Sequence, residues 1–139
     1  MKSFFDTSVL IPVFYRSHVH HHDSEMLFLE ADRHTACCGA HSLAELYSTV
    51  TRMPGRVSGN QAMLLISGIR ERLSIITLDG DEYLNTLEMA ASMGISGGSV
   101  YDALLAACAI KAKAETIYSW NTRHYSLCGP EVTARLRRP

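Results

Sequence analysis

The chain has 139 residues, 47% of them hydrophobic, and 13 lysines and arginines stand against 14 aspartates and glutamates for a formal net charge of −1. That length suits one domain, residues 1–139, around one sizeable core. No apolar run approaches the roughly 18 residues a membrane span requires, which excludes an inserted protein. The near-neutral total hides an asymmetry: residues 1–50 carry three basic groups against six acidic ones, and 111–139 carry six against two. A polyanion would be met mainly through the C-terminal third.

The opening MKSFFDTSVLIPVFY has the look of a signal peptide, but Asp6 interrupts the apolar run and no small-residue cleavage site follows. It reads instead as a buried first strand, Lys2–Phe5, ending at Asp6, with a short helix over Thr7–Tyr15 that holds Pro12 near its start. After the histidine-rich loop 18–22, a helix carries Met26, Leu27 and Leu29 inward. Thr35–Gly39 is a second strand. From Ser42, the positions Leu43, Leu46, Tyr47 and Val50 fall at i, i+3, i+4 and i+7, the pattern of a helix with one buried face. Pro54, Gly55 and Gly59 end it. Met63–Arg72 is helical, Ser74–Leu78 a third strand closed by Asp79-Gly80, Asp81–Met93 a helix, and Ser99 opens an alanine-rich helix to Lys113. Thr116–Ser119 is a fourth strand, Asn121–Tyr125 a loop, and Val132 and Thr133 supply a short last strand. Alternation of this kind predicts a three-layer α/β/α sandwich with a central, mainly parallel sheet of four to five strands.

Four cysteines, Cys37, Cys38, Cys108 and Cys128, form no CxxC pair and sit in apolar patterns. They read as buried thiols in a reducing compartment, so a cytoplasmic location is expected. Asp6, Glu45 and Asp102 each stand where a strand or loop gives way to a helix. Ligands of parallel α/β folds gather at the carboxyl ends of the strands, and three ionised carboxylates converge stably only around a cation such as Mg²⁺ or Mn²⁺. Each acid also has a capping reading. Asp6 is a good N-cap, Ser42-Leu43-Ala44-Glu45 has capping-box spacing, and Ser99-Val100-Tyr101-Asp102 repeats it with a shorter acid. Asp79 and Asp81 read as turn or cap residues, and His18, His20, His21 and His22 as an exposed polar stretch, since neighbouring histidines cannot all face one ion.

Four stretches together carry a family resemblance: Phe5-Asp6-Thr7-Ser8-Val9-Leu10-Ile11, Ser42-Leu43-Ala44-Glu45-Leu46, Gly98-Ser99-Val100-Tyr101-Asp102-Ala103-Leu104-Leu105-Ala106, and Ser119-Trp120-Asn121-Thr122-Arg123-His124-Tyr125. In order and spacing the chain resembles the PIN domain, and within it the VapC-like toxins of toxin–antitoxin pairs. The resemblance implies a metal-dependent endoribonuclease using Mg²⁺ or Mn²⁺, with Asp6, Glu45 and Asp102 as the metal carboxylates and Asn121, preceded by the hydroxyl of Ser119, as the later site position. It further implies a cognate antitoxin and a homodimer. Two positions depart from the family pattern: Asn121 is a neutral amide where some members have a carboxylate, and His124 stands where many have Asp. Arg123 and His124, beside the site, are candidates for gripping the RNA backbone. The alternatives are an RNA-binding or scaffold module without catalysis, and a DNA-directed nuclease of the same fold.

Overall fold

Successive side chains on a strand point to opposite faces of the sheet, and here both faces are covered. In the computed structural model, which describes residues 1–139, the first strand is β1 (Ser3–Phe5). Phe5 packs in a cluster with Val9, Leu10, Leu46 and Ile69, whereas its neighbour Phe4 packs in a second cluster with Leu105, Ala109 and Ile117. Cys38 and Cys37 of β2 (Ala36–Gly39) divide between the same two clusters. With β3 (Ser74–Ile76), β4 (Thr116–Tyr118) and β5 (Leu136–Arg137), the strands form one five-stranded sheet, wholly parallel, in the order β3-β2-β1-β4-β5.

Four helices supply the Phe5 side: α1 (Thr7–Val13), α2 (His21–Glu30), α3 (Ala40–Arg52) and α4 (Gly59–Arg72). On the Phe4 side lies α6 (Ser99–Lys111), buried at Ala103, Leu104, Leu105, Ala106, Cys108 and Ala109, with α5 (Gly80–Ser92) packed against it and α7 (Pro130–Thr133) beside it. The three-layer architecture expected from the alternation is the one observed. All four cysteines are free, three of them buried, and no helix is long and apolar enough to cross a membrane.

The small residues of α6 let it approach the sheet closely at Gly39. A Cβ added there would stand 2.7 Å from Leu105 Cδ2 and 3.6 Å from Phe4 Cζ. Leu105 is itself buried on every side, so it cannot yield cheaply. Gly39→Ala is expected to destabilise the fold by roughly 1–3 kcal/mol, the usual cost of overpacking, read as a lower urea midpoint with an unchanged slope.

Several local expectations need correction. Pro12 lies in the last turn of α1, one residue before its end, and not near its start. In α2 the buried residues are Ser24 and Phe28, at i and i+4; Leu27 packs against the core as expected, whereas Met26 and Leu29 face solvent, and His21 and His22 form the first turn. Tyr47 of α3 is also exposed. Val132 and Thr133 are helical, because Pro130 at the first position favours a helix, and the last strand is Leu136–Arg137, with Leu136 beside Ile117. Asn121 precedes a 3-10 turn, Thr122–Tyr125, and no strand precedes Asp102, which arrives on α6 after the loop from α5.

Candidate active site

The capping alternatives separate the three acids. Asp6 is the N-cap of α1, its carboxylate accepting from the Ser8 backbone N–H at 3.3 Å. Glu45 does not cap, because α3 begins at Ala40 with Gly39 as N-cap, which puts Ser42 at the third helical position and Glu45 beyond the first turn. Asp102 lies at the fourth position of α6 after Gly98, again with no capping bond. Asp79, by contrast, closes a capping box with Glu82 and is accounted for by it.

Asp6 sits at the carboxyl end of β1, the central strand, and is only 5% exposed. Its Oδ2 accepts from Ser8 Oγ at 2.6 Å and from Ser119 Oγ at 2.9 Å, and its Oδ1 accepts from the Tyr125 hydroxyl at 2.5 Å. Ser119 follows the adjacent strand β4, so strand pairing alone brings it within reach of Asp6 across 113 residues. The one proton of the Thr7 hydroxyl is shared between Ser42 Oγ at 2.8 Å and Glu45 Oε1 at 3.1 Å, which ties α1 to α3 and fixes Glu45 beside the end of β1.

Electrostatics couple the three carboxylates. Burial, reinforced by the charges of Asp6 and Glu45 and opposed by His124, pushes the Asp102 carboxyl up to about 6. Burial also raises Glu45, against the Thr7 hydrogen bond and His41, with Asp6 adding to the rise. Two imidazoles stand beside the acids: His41 Nε2 lies 3.7 Å from Glu45 Oε1, and His124 Nδ1 lies 3.8 Å from Asp102 Oδ2. No lysine or arginine pairs with any of the three. The donor set, hard oxygens with surplus negative charge, fits Mg²⁺ or Mn²⁺. In this conformation Asp6 is turned onto its hydroxyl donors, and no three acidic, histidine or cysteine side chains already close into a cage.

The remaining sequence candidates lie around this cluster. Asn121 is exposed, its side chain unbonded and its backbone N–H donating to Ser119 Oγ at 3.0 Å. His124 is near Asp102, as above, while Arg123 on the same 3-10 turn is exposed and makes no ion pair. The histidine stretch is held internally. His20 stacks on Trp120 with ring centroids 3.6 Å apart and planes 6° from parallel, His21 Nδ1 lies 2.7 Å from the Pro12 carbonyl oxygen, and the Trp120 indole N–H donates to Ser24 at 2.9 Å. These rings point to different partners, which argues against a shared ion, though His20 and Trp120 border the site through Ser119 and Asn121.

Sequence reasoning assigned no role to Thr7, Ser8, His41 or Tyr125, and read Ser42 only as a helix cap, which it is not. The run Asp6-Thr7-Ser8 placed two hydroxyls beside the first acid and was the available signal for the first two. Nothing local marks Tyr125, whose partner is 119 residues away.

The PIN domain family profile matches residues 3–130. Ribonuclease VapC27 of Mycobacterium tuberculosis is 37% identical over 112 residues, covering 79% of this chain and 78% of that protein. Among solved structures, M. tuberculosis VapC20, described as a sarcin–ricin loop cleaving toxin, superposes with a TM-score of 0.76 at 16% identity over 99% of this chain and 100% of that one. VapBC2 from Rickettsia felis, bound to a DNA fragment from its promoter, does so with a TM-score of 0.66 at 19% identity over 99% and 98%. With the family profile spanning most of its length, and a VapC ribonuclease 37% identical to it, the chain belongs to the PIN domain family as a VapC homologue.

Proposed function

We propose that the protein is a divalent-cation-dependent endoribonuclease and the toxin of a VapBC-type toxin–antitoxin pair. The observation that carries this reading is the cluster of Asp6, Glu45 and Asp102 at the carboxyl end of the central strand, coupled in charge and paired with no lysine or arginine. Its closeness to a VapC ribonuclease gives that cluster a substrate class.

Asp6 and Asp102 hold the cation, Asp6 being fixed by Ser8 and Ser119. When bound, the cation supplies Lewis acidity, lowering the pKa of a water and offsetting charge that grows on the phosphate. Glu45, held beside the end of β1 by the Thr7 hydroxyl, orients the attacking water and takes its proton. Attack by water uses no ribose 2′-hydroxyl, so the product carries a 5′-phosphate. Asn121 offers a neutral oxygen and an N–H₂ to water or phosphate, and Arg123 and His124 grip the RNA backbone. Cellular RNA as substrate implies action in the cytoplasm. A cognate antitoxin, which the VapC kinship implies, blocks the site, and the active form is a homodimer.

Expression in a bacterial host tests the whole reading. Growth is expected to arrest with the wild-type chain, to continue with Asp6→Asn, and to recover when a cognate antitoxin is co-expressed. Growth arrest by Asp6→Asn equal to wild type contradicts it. RNA bound but never cut favours the binding-module alternative, and DNA cut in preference to RNA favours the DNA-directed nuclease.

The exposed groups should behave unlike the acids. Arg123→Ala is expected to weaken RNA binding and reduce the slope of log affinity against log salt by about 1, one phosphate contact fewer, with Mn²⁺ affinity unchanged. Asn121→Ala is expected to lower turnover at unchanged Mn²⁺ affinity. Calorimetric Mn²⁺ titration beside RNA binding at several salt concentrations checks both, and loss of Mn²⁺ binding in Asn121→Ala reassigns that residue as a ligand.

A further inference from the structure

We infer that Tyr125 is a positioning residue of the cation site, its phenol occupying one lone pair of Asp6 so that the carboxylate offers a cation a single direction of approach. The inference rests on the cation-dependent reading above and concerns how Asp6 can take part in it. A carboxylate has two oxygens with about four lone-pair sites. Oδ2 of Asp6 receives Ser8 Oγ at 2.6 Å and Ser119 Oγ at 2.9 Å, with the Ser8 N–H at 3.3 Å, and is full. Oδ1 receives only the Tyr125 hydroxyl, at 2.5 Å. One lone pair is left, on Oδ1. That remaining lone pair is the one Asp6 would offer to a cation.

Tyr125 is built to stay in that role. Its ring is fully buried among Phe4, Leu105, Ile117 and Val132, so it cannot swing aside. A buried phenol needs an acceptor in any case, and that plainer role is separable. A phenol that only satisfies itself affects stability and leaves cation preference alone. One that orients the free lone pair of Asp6 affects small octahedral ions, which demand near-ideal ligand directions, more than Ca²⁺, whose coordination is flexible.

The test is calorimetric titration of the metal-free protein with Mn²⁺ and with Ca²⁺, for wild type and Tyr125→Phe, beside melting in EDTA. Tyr125→Phe is expected to bind Mn²⁺ about tenfold more weakly, as loss of a group that orients a ligand commonly does, to lose less affinity for Ca²⁺, and to show lower kcat with KM for RNA unchanged. Incorporation of 3-fluorotyrosine at Tyr125 retains the hydroxyl and should bind Mn²⁺ as wild type does, and this comparison remains decisive if the Phe variant melts too low to titrate. Unchanged Mn²⁺ and Ca²⁺ affinities in Tyr125→Phe, or a tenfold Mn²⁺ loss with fluorotyrosine, overturn the assignment. Wild-type protein that binds no Mn²⁺ overturns this inference and the cation reading together, whereas wild type that binds Mn²⁺ and cuts no RNA overturns the nuclease reading alone.

Discussion

Asp102→Asn is expected to make the metal-free protein more stable while removing its response to metal and its activity. The carboxyl of Asp102 is raised from an ordinary 3.8 to about 6, first by burial and then by Asp6 and Glu45. At pH 7.5 its ionised form is therefore held at a cost. A tenfold change in proton affinity corresponds to about 1.4 kcal/mol. Discounted for the solvent that still reaches this partly exposed group, the relief is on the order of 2 kcal/mol when a neutral amide of the same shape replaces it. For a chain of this size that is a rise in melting temperature of roughly 5–10 °C in EDTA. Addition of Mn²⁺ then reverses the ranking. At about 100 times its dissociation constant the ion stabilises the wild type by about 2.7 kcal/mol, and the Asn variant, lacking a charged ligand, gains little. RNA cleavage should fall at least about 100-fold, the scale of losing an essential electrostatic group. Scanning fluorimetry in EDTA and in Mn²⁺ decides the matter. An Asn variant less stable than wild type in EDTA, or equally stabilised by Mn²⁺, contradicts the placement of Asp102 in the charge cluster.

The second large effect is on pH. A carboxyl with a folded pKa above its unfolded value contributes stability that is complete below the unfolded pKa and lost as pH rises through the folded one. For Asp102 the window runs from about 3.8 to about 6, and the raised Glu45 acts in the same sense. His18, whose pKa is lowered by burial and by His20 and His21, acts in the opposite sense near its own range. The difference between wild type and Asp102→Asn cancels His18 and isolates the site. The advantage of the Asn variant in EDTA should be full at pH 7.5 and vanish by about pH 4. Metal binding must displace the same proton, so the apparent Mn²⁺ affinity of the wild type should be level above pH 7 and fall by roughly tenfold per pH unit below about 6. Urea melts and Mn²⁺ titrations across pH 4–8 check both, and a Mn²⁺ affinity independent of pH across that range rules out a displaced carboxyl proton.

The sheet was legible because its central strands are short apolar runs closed by Asp6 and Gly39, and their burial on both faces follows from strand alternation. The last strand was not, since two residues, Leu136 and Arg137, leave no periodic signal and hold their place by pairing with Ile117 and Tyr118. The inward face of α2 was misread for a similar reason: Ser24 is buried because Trp120 donates to it, a contact across 96 residues. At the site, the three carboxylates were legible as a pattern, but whether Glu45 caps a helix was not. That depended on α3 starting at Gly39 and Ala40, where no hydroxyl or acid announces an N-terminus. The surrounding hydroxyls were least legible of all, because Tyr125 in sequence is simply one more aromatic core residue and nothing there announces that its hydroxyl meets Asp6.

The central claim is that these carboxylates make RNA hydrolysis depend on a divalent cation. Purified wild-type protein and Asp6→Asn, each incubated with structured cellular RNA in Mn²⁺ and in EDTA, with the new ends mapped chemically, test it most directly. The account predicts discrete cuts by the wild type in Mn²⁺, with 5′-phosphate and 3′-hydroxyl ends, and none in EDTA or with Asp6→Asn. Cleavage that persists in EDTA, or products ending in a 2′,3′-cyclic phosphate, would contradict it.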